Sequence, residues 1–189
     1  MNSRVGQGID IHKLDNGTPL IVGGVLIPSD KGSIGHSDGD VLYHAIVDAC
    51  LGAMALGDIG QYFPSSNNKW KNIDSKHFMI ETYMLMNKKG YKISNIDSTI
   101  ILQEPQINCH IKKMKKNISK IFSISINDVS VKATTTDNLG FIGLGEGIAA
   151  TSIVMISKDN GKEYREKRLK EMGDGMYKWD YLKGLIEKI

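Results

Sequence analysis

The chain has 189 residues, 41% hydrophobic and 24% charged, with a formal net charge of +3. That length favours one domain, large enough to bury a core without disulfides or metal as a condition of folding. So small a charge demands neither nucleic acid nor a membrane surface. No apolar run approaches the roughly 20 residues of a membrane span, and two distant cysteines without C-x-x-C spacing fit a reducing compartment.

In chain order, RVGQGIDIHK (4–13) alternates and predicts a strand. Asp10 and His12 share one face of it, and Ile9 and Ile11 are expected to face the core from the other. LIVGGVLIP (20–28) reads as extended, bent at Gly23 and Gly24, and residues 29–40 as a loop. Ser37, with Asp40 three residues later, reads as the N-cap of a helix over VLYHAIVDACLGAMAL, on which Cys50 is a small hydrophobe. GDIGQYFPSSNNKW is irregular. Asp74 or Ser75 caps a second helix, which Gly90 closes. A strand follows over 95–103. Ile111, Met114, Ile118, Ile121 and Phe122 mark a helix, whose lysines form a solvated face. Strands over 128–136 and 147–157 flank a glycine-containing loop.

This order predicts an α+β fold: a mixed β-sheet with helices packed on one face, in a ferredoxin-like two-layer arrangement. Residues 1–157 form the expected catalytic domain. Residues 158–189 form a charged, partly helical extension, with Gly173 and Gly175 between its helical stretches. Tyr177, Tyr181, Leu185 and Ile189 share one spacing there, suited to docking on the body or on a partner chain. The chain start shows no signal-peptide pattern, so either no leader is used or one has been removed.

Three clusters carry chemistry. Alone, Asp10-x-His12 reads first as a structural ion pair. His44, on a helix entered through the short polar stretch GHSDGD, adds a third donor, and Asp, His and His would leave a fourth zinc position open, as catalytic sites do. Asp40 and Asp48 lie four residues either side of His44, where one could orient an imidazole; the alternative is plain helix solubility. GHSDGD itself precedes a helix, so it suits a phosphate working with a cation, or is merely a polar cap. ATTTDNLGFIGLGEG (133–147) offers three hydroxyls and Asp137, able to hold magnesium through oxygen, or is a Thr-rich hairpin; it is not a Walker A loop. His77 and His110 lack partners at ligand spacing and read as surface or packing residues.

GIDIH, IGHSDGDVLYHA, LGDIGQYFP, IDSTIILQEP and VKATTTDNLGF…GEGIA, in this order and spacing, resemble the 2-C-methyl-D-erythritol 2,4-cyclodiphosphate synthase family of the non-mevalonate isoprenoid pathway, from about Arg4 to Ser157. The resemblance implies a homotrimer with active sites between neighbouring subunits, and a small cytidine diphosphate substrate. The 2-phosphate of 4-diphosphocytidyl-2-C-methyl-D-erythritol 2-phosphate attacks its own β-phosphorus, and CMP leaves. It implies Zn2+ on Asp10, His12 and His44, and Mg2+ or Mn2+ on Asp137, where the family usually has Glu. His36 and Thr135 match proposed transition-state stabilisers. Ser37, Asp58, Ile59, Gly60, Phe63, Ser65, Asn67 and Phe141 match substrate contacts. The backbone of Leu102, Gln103, Glu104, Pro105, Gln106, Ile107 and Asn108, with Lys132, Ala133, Thr134 and Thr135, would form a cytosine pocket supplied by another subunit.

Departures from the family pattern are Ser65 and Asn67 in place of aspartates, Gln106 in place of a common Lys, and Leu144 in place of an Arg beside the position of Glu146. That Arg lines a central cavity and can hold an isoprenoid diphosphate. The alternative function is a zinc-dependent phosphoesterase on a cytidine-containing substrate, using water as nucleophile. Lysine and asparagine bias, with the pathway, suggests the lumen of a plastid-like organelle (an apicoplast); a bacterial cytoplasm is the alternative. Neither nucleic acid nor membrane is an expected partner.

Overall fold

The structure is a computed structural model describing residues 3–66, 70 and 73–158. Asn67 and the extension from residue 159 lie outside the described residues, so the expectations made for them are not addressed by the fold.

Among the described residues, seven strands and five α-helices form two layers. The strands are β1 (Ser3–Asn16), β2 (Leu20–Val22), β3 (Val25–Ile27), β4 (Lys31–Ser33), β5 (Tyr91–Ile101), β6 (Val129–Thr134) and β7 (Gly147–Lys158). The helices are α1 (Val41–Ala53), α2 (Ile59–Tyr62), α3 (Lys76–Lys88), α4 (Ile111–Phe122) and α5 (Gly140–Gly143). The main sheet runs β4-β1-β7-β5-β6, antiparallel except for β5 and β6, which are parallel and joined through α4. The expected mixed sheet with helices is present. The finer ferredoxin-like label is not: the long elements read β-α-α-β-α-β-β, whereas that motif is β-α-β-β-α-β.

Why α1 lies against β1 is legible in its small residues. A Cβ added at Gly6 would stand 2.0 Å from the Ala49 carbonyl oxygen, and one at Gly8 2.1 Å from that of Ala45. Helix and strand backbones therefore touch, with Ala45, Ala49 and Ala53 buried between them. The face of β1 that carries Gly6, Gly8, Asp10 and His12 is the inward one. This reverses the expectation for Ile9 and Ile11, which are 57% and 55% exposed on the open face of the sheet. Val5 and Ile153 are exposed on that face too.

Two local readings are also corrected. The cap of α1 is Asp40, not Ser37: Asp40 Oδ1 accepts from the Tyr43 amide at 3.1 Å. The same carboxylate accepts from the Gly23 and Gly24 amides at 2.9 and 2.7 Å. Gly23 and Gly24 both have positive φ and make a tight two-residue turn between β2 and β3, not a bend in one strand. Asp40 thus ties this hairpin to the start of α1. Gly90, with φ of 75°, ends α3 as expected.

Candidate active site

The close packing of α1 on β1 sets His44 over Asp10 and His12. His44 Nδ1 lies 2.9 Å from Asp10 Oδ2 and 3.1 Å from His12 Nε2, and His12 Nε2 lies 2.7 Å from Asp10 Oδ2. Zinc bonds of 2.0–2.1 Å in a tetrahedron would set donors about 3.3 Å apart, so the triad is slightly tighter than a filled site.

The outer hydrogen bonds decide which atoms face inward. His12 Nδ1 donates to the Ile34 carbonyl at 2.8 Å, because a carbonyl can only accept. The neutral ring therefore turns its Nε2 lone pair inward. On the far side of the other ring, His44 Nε2 meets Ser75 Oγ at 2.8 Å and Ser37 Oγ at 3.1 Å. Three acceptor atoms then converge on one point, which only a cation or a shared proton can occupy comfortably. The donor set fits a metal on that ground, and Asp10, His12 and His44 form a metal-capable cluster.

Electrostatics agree. Burial opposes ionisation of Asp10, but the carboxylate is favoured by the two imidazoles, which bond to it and attract it when they carry an extra proton, and its pKa is held well below the usual range. Burial likewise opposes the charged form of His12, yet the Asp10 hydrogen bond and charge raise its pKa.

Neither flanking aspartate orients an imidazole. Asp40 serves the hairpin and the helix cap, and Asp48 Oδ1 accepts from the Ile59 amide at 2.7 Å, fixing the start of α2. Sequence reasoning missed the groups that do touch the rings: Ile34, Ser75 and, behind Ser75, Asp38. Local spacing held no signal for them, because Ser75 comes from another helix.

Asp58 caps α2, accepting from the Gln61 amide at 3.0 Å. Ile59 and Phe63 pack on the core, and the Phe63 ring lies 4.7 Å from Phe78, itself 5.8 Å from His44. Gly60 and Ser65 are exposed beside them. His36 stands next to the triad loop, and its buried Nε2 has no hydrogen-bond partner among the described residues.

The remaining expected residues lie elsewhere. A cavity of about 140 Å³ is lined by Leu102, Gln103, Pro105, Gln106, Ile107, Asn108, Ala133, Thr134 and Thr135. It matches the segment expected for cytosine, except for Glu104 and Lys132. The Lys132 side chain points to the open face and pairs with Asp97 at 2.6 Å. Thr135 Oγ1 donates weakly to Asp137 Oδ1 at 3.5 Å beyond the end of β6. Phe141 covers Gly147 instead, beside the His12 carbonyl.

One row of the sheet relates the two regions. Asp10 pairs with Ala150, Ala150 with Ile100, and Ile100 with Ala133. The triad and the small cavity therefore sit three strand spacings of about 4.8 Å apart, with buried Ala150 and Ile100 between them. Within one chain, His36 and Thr135 do not meet.

Residues 3–157 match the YgbB family. The chain belongs to the YgbB family. Among curated members, the 2-C-methyl-D-erythritol 2,4-cyclodiphosphate synthase of Geobacillus sp. (strain WCH70) is 49% identical over 155 residues, 82% of this chain and 98% of that one. The synthase of Bacillus cereus (strain ATCC 10987 / NRS 248) is likewise 49% identical. Among solved structures, an IspF–CDP complex from Plasmodium falciparum superposes with a TM-score of 0.74 at 38% identity, covering 84% of this chain and 97% of that one. The bifunctional IspDF of Campylobacter jejuni gives 0.80 at 38% identity, covering 83% and 42%. No helix among the described residues is long and apolar enough to cross a membrane.

Proposed function

We infer that this YgbB-family chain converts 4-diphosphocytidyl-2-C-methyl-D-erythritol 2-phosphate to 2-C-methyl-D-erythritol 2,4-cyclodiphosphate and CMP, a phosphorus–oxygen lyase reaction. The observation that carries this is the convergence of three acceptors from Asp10, His12 and His44 in a chain 49% identical to such synthases. The relatives do not favour the phosphoesterase alternative.

A phosphate nucleophile is already ionised at neutral pH, so positioning and charge stabilisation dominate over general base catalysis. Asp10, His12 and His44 would hold zinc, which supplies Lewis-acid polarisation of a phosphoryl oxygen. Asp137 would hold magnesium or manganese through its carboxylate. The unpartnered His36 Nε2 suits a contact to a phosphate oxygen, and Thr135 offers a hydroxyl to the same group. Ser37, Asp58, Ile59, Gly60, Phe63 and Ser65 border the triad side and would contact the methylerythritol part. The 140 Å³ cavity, lined partly by backbone of Leu102–Asn108 and Ala133–Thr135, suits cytosine.

Because the triad and the cavity lie at opposite ends of one row, the complete site needs a second copy of the chain. The exposed Val5, Ile9, Ile11 and Ile153 give the sheet an apolar open face for it. This supports a homotrimer with active sites between subunits, residues 1–157 being its catalytic body. The curated relatives named above are bacterial, so the plastid-like organelle gains no support and we favour a bacterial cytoplasm.

Phosphorus NMR of the zinc-loaded protein with substrate and magnesium tests this reading. A cyclic diphosphate appearing with CMP is expected. Inorganic phosphate without cyclisation would overturn it.

A further inference from the structure

We propose that Ser75, backed by Asp38, is a positioning residue that locks the His44 ring for metal binding. The proposal rests on the metal-site reading of Asp10, His12 and His44. Ser75 occupies the N-cap position of α3, where a serine ordinarily turns its hydroxyl to the amides of the first turn. Here it makes no side-chain cap bond, and Asp74 Oδ1 accepts from the Lys76 amide at 2.8 Å instead. The Ser75 hydroxyl is fully buried, 2.8 Å from His44 Nε2, 2.9 Å from Ser37 Oγ and in a short hydrogen bond with Asp38 Oδ1.

Proton counting fixes the direction. Asp38 can only accept, so the one Ser75 proton goes to it. Ser75 then accepts from His44 Nε2–H and from the Ser37 hydroxyl. With its proton on Nε2, neutral His44 turns the Nδ1 lone pair toward Asp10 Oδ2 and His12 Nε2. Asp38 is itself held, because its Oδ1 also accepts from the Asp40 amide at 3.2 Å and its own amide donates to the Ile73 carbonyl at 3.1 Å. The chain carboxylate–hydroxyl–imidazole selects the tautomer and orients the ring. It also couples the metal site to the loop before α1 and to the start of α3 at once.

The test is Co2+ titration of the metal-free full chain, read by visible absorption, with chelator competition for Zn2+. Ser75→Ala should weaken both metals about 10–100-fold, the usual loss when an outer hydrogen bond to a ligand is removed. Ser75→Thr, which keeps the hydroxyl, should restore most of the affinity, and Asp38→Asn should lose several-fold. A slowly exchanging His44 Nε2–H resonance should be present in the wild-type chain and absent from Ser75→Ala. Wild-type affinity in both Ser75→Ala and Asp38→Asn would overturn the proposal while leaving the metal site intact. If Ser75→Ala fails to fold, Asp38→Asn and Ser75→Thr decide it by the same readings. Failure of the wild-type chain to bind Co2+, or equal binding by His44→Ala, would sink the metal-site reading itself and the proposal with it.

Discussion

A side chain at Gly8 would lie 2.1 Å from the Ala45 carbonyl oxygen, closer than any real Cβ contact. Gly8→Ala must therefore push α1 away from β1. The cost expected for overpacking is about 3 kcal/mol, with His44 drawn off Asp10 as part of the same displacement. Denaturant unfolding and metal titration should move together in this variant. Loss of stability with unchanged metal affinity would show that His44 does not depend on this backbone contact.

His44→Ala should leave the fold in place and reduce turnover by at least about 10³-fold, since Lewis-acid stabilisation contributes several kcal/mol. Circular dichroism and a CMP-release assay check the two halves. Turnover near wild-type would remove the triad from the chemistry.

Metal affinity should depend on pH through His12. Its ordinary pKa of 6.5 is raised by Asp10, against the effect of burial. Metal requires the neutral ring, so apparent affinity should be flat above the raised pKa and fall about tenfold per pH unit below it. The decline therefore starts above pH 6.5. Titrations from pH 8 down to 5.5 would refute this if affinity stayed constant.

Filling the small cavity should separate nucleotide recognition from metal binding. Ala133→Leu adds volume to a space of about 140 Å³. The expected result is a KM for the cytidine substrate raised roughly 10–100-fold with unchanged Co2+ affinity, in line with 1–3 kcal/mol for a pocket misfit. An unchanged KM would place the base elsewhere.

Asp40 offers a separate pH signature in stability. Burial raises its carboxyl to about 6, although the Gly24, Gly23 and Tyr43 amides favour the ionised form. Between about pH 4 and 6 the folded chain then holds a proton that the unfolded chain has released. Stability from this group is full below pH 4 and falls as pH rises toward 6, by an order of 3 kcal/mol. Asp10, held low, acts at more acid pH, and His12, held high, acts above 6.5. Asp48, raised by burial, and His77, lowered by burial, share part of the window, so the Asp40 contribution is the difference between wild-type and an Asp40 variant. Denaturant midpoints should fall across it in wild-type and change distinctly less steeply in Asp40→Asn. Parallel slopes in the two proteins would contradict the assignment.

How much of this was legible beforehand depended on the range of each interaction. The Asp10–His12 pairing follows from strand alternation, and the helix over residues 111–122 from its apolar spacing. The facing of β1 runs against the rule that apolar residues point inward. Gly6 and Gly8 hold the inward positions here, since only a bare backbone lets α1 approach, and Ile9 and Ile11 were left outside. Ser37 resembled a cap by local pattern, yet Asp40 takes the role because the hairpin at Gly23 and Gly24 also needs its oxygens. Asp48 looked like a partner for His44 at helical spacing, but the Ile59 amide claims it. Ser75 meets His44 across 31 residues of sequence, and no local rule reaches that far.

The row Asp10–Ala150–Ile100–Ala133 has a genetic consequence. If each working site takes its metal ligands from one chain and its nucleotide cavity from another, two different defects need not be equally fatal in combination. Chains disabled at Asp10 and chains whose nucleotide cavity is blocked outright would each be inactive alone. Refolded as a mixture, they would rebuild some interfaces where an intact triad faces an intact cavity. Two inactive alleles expressed together would then restore growth that neither supports by itself.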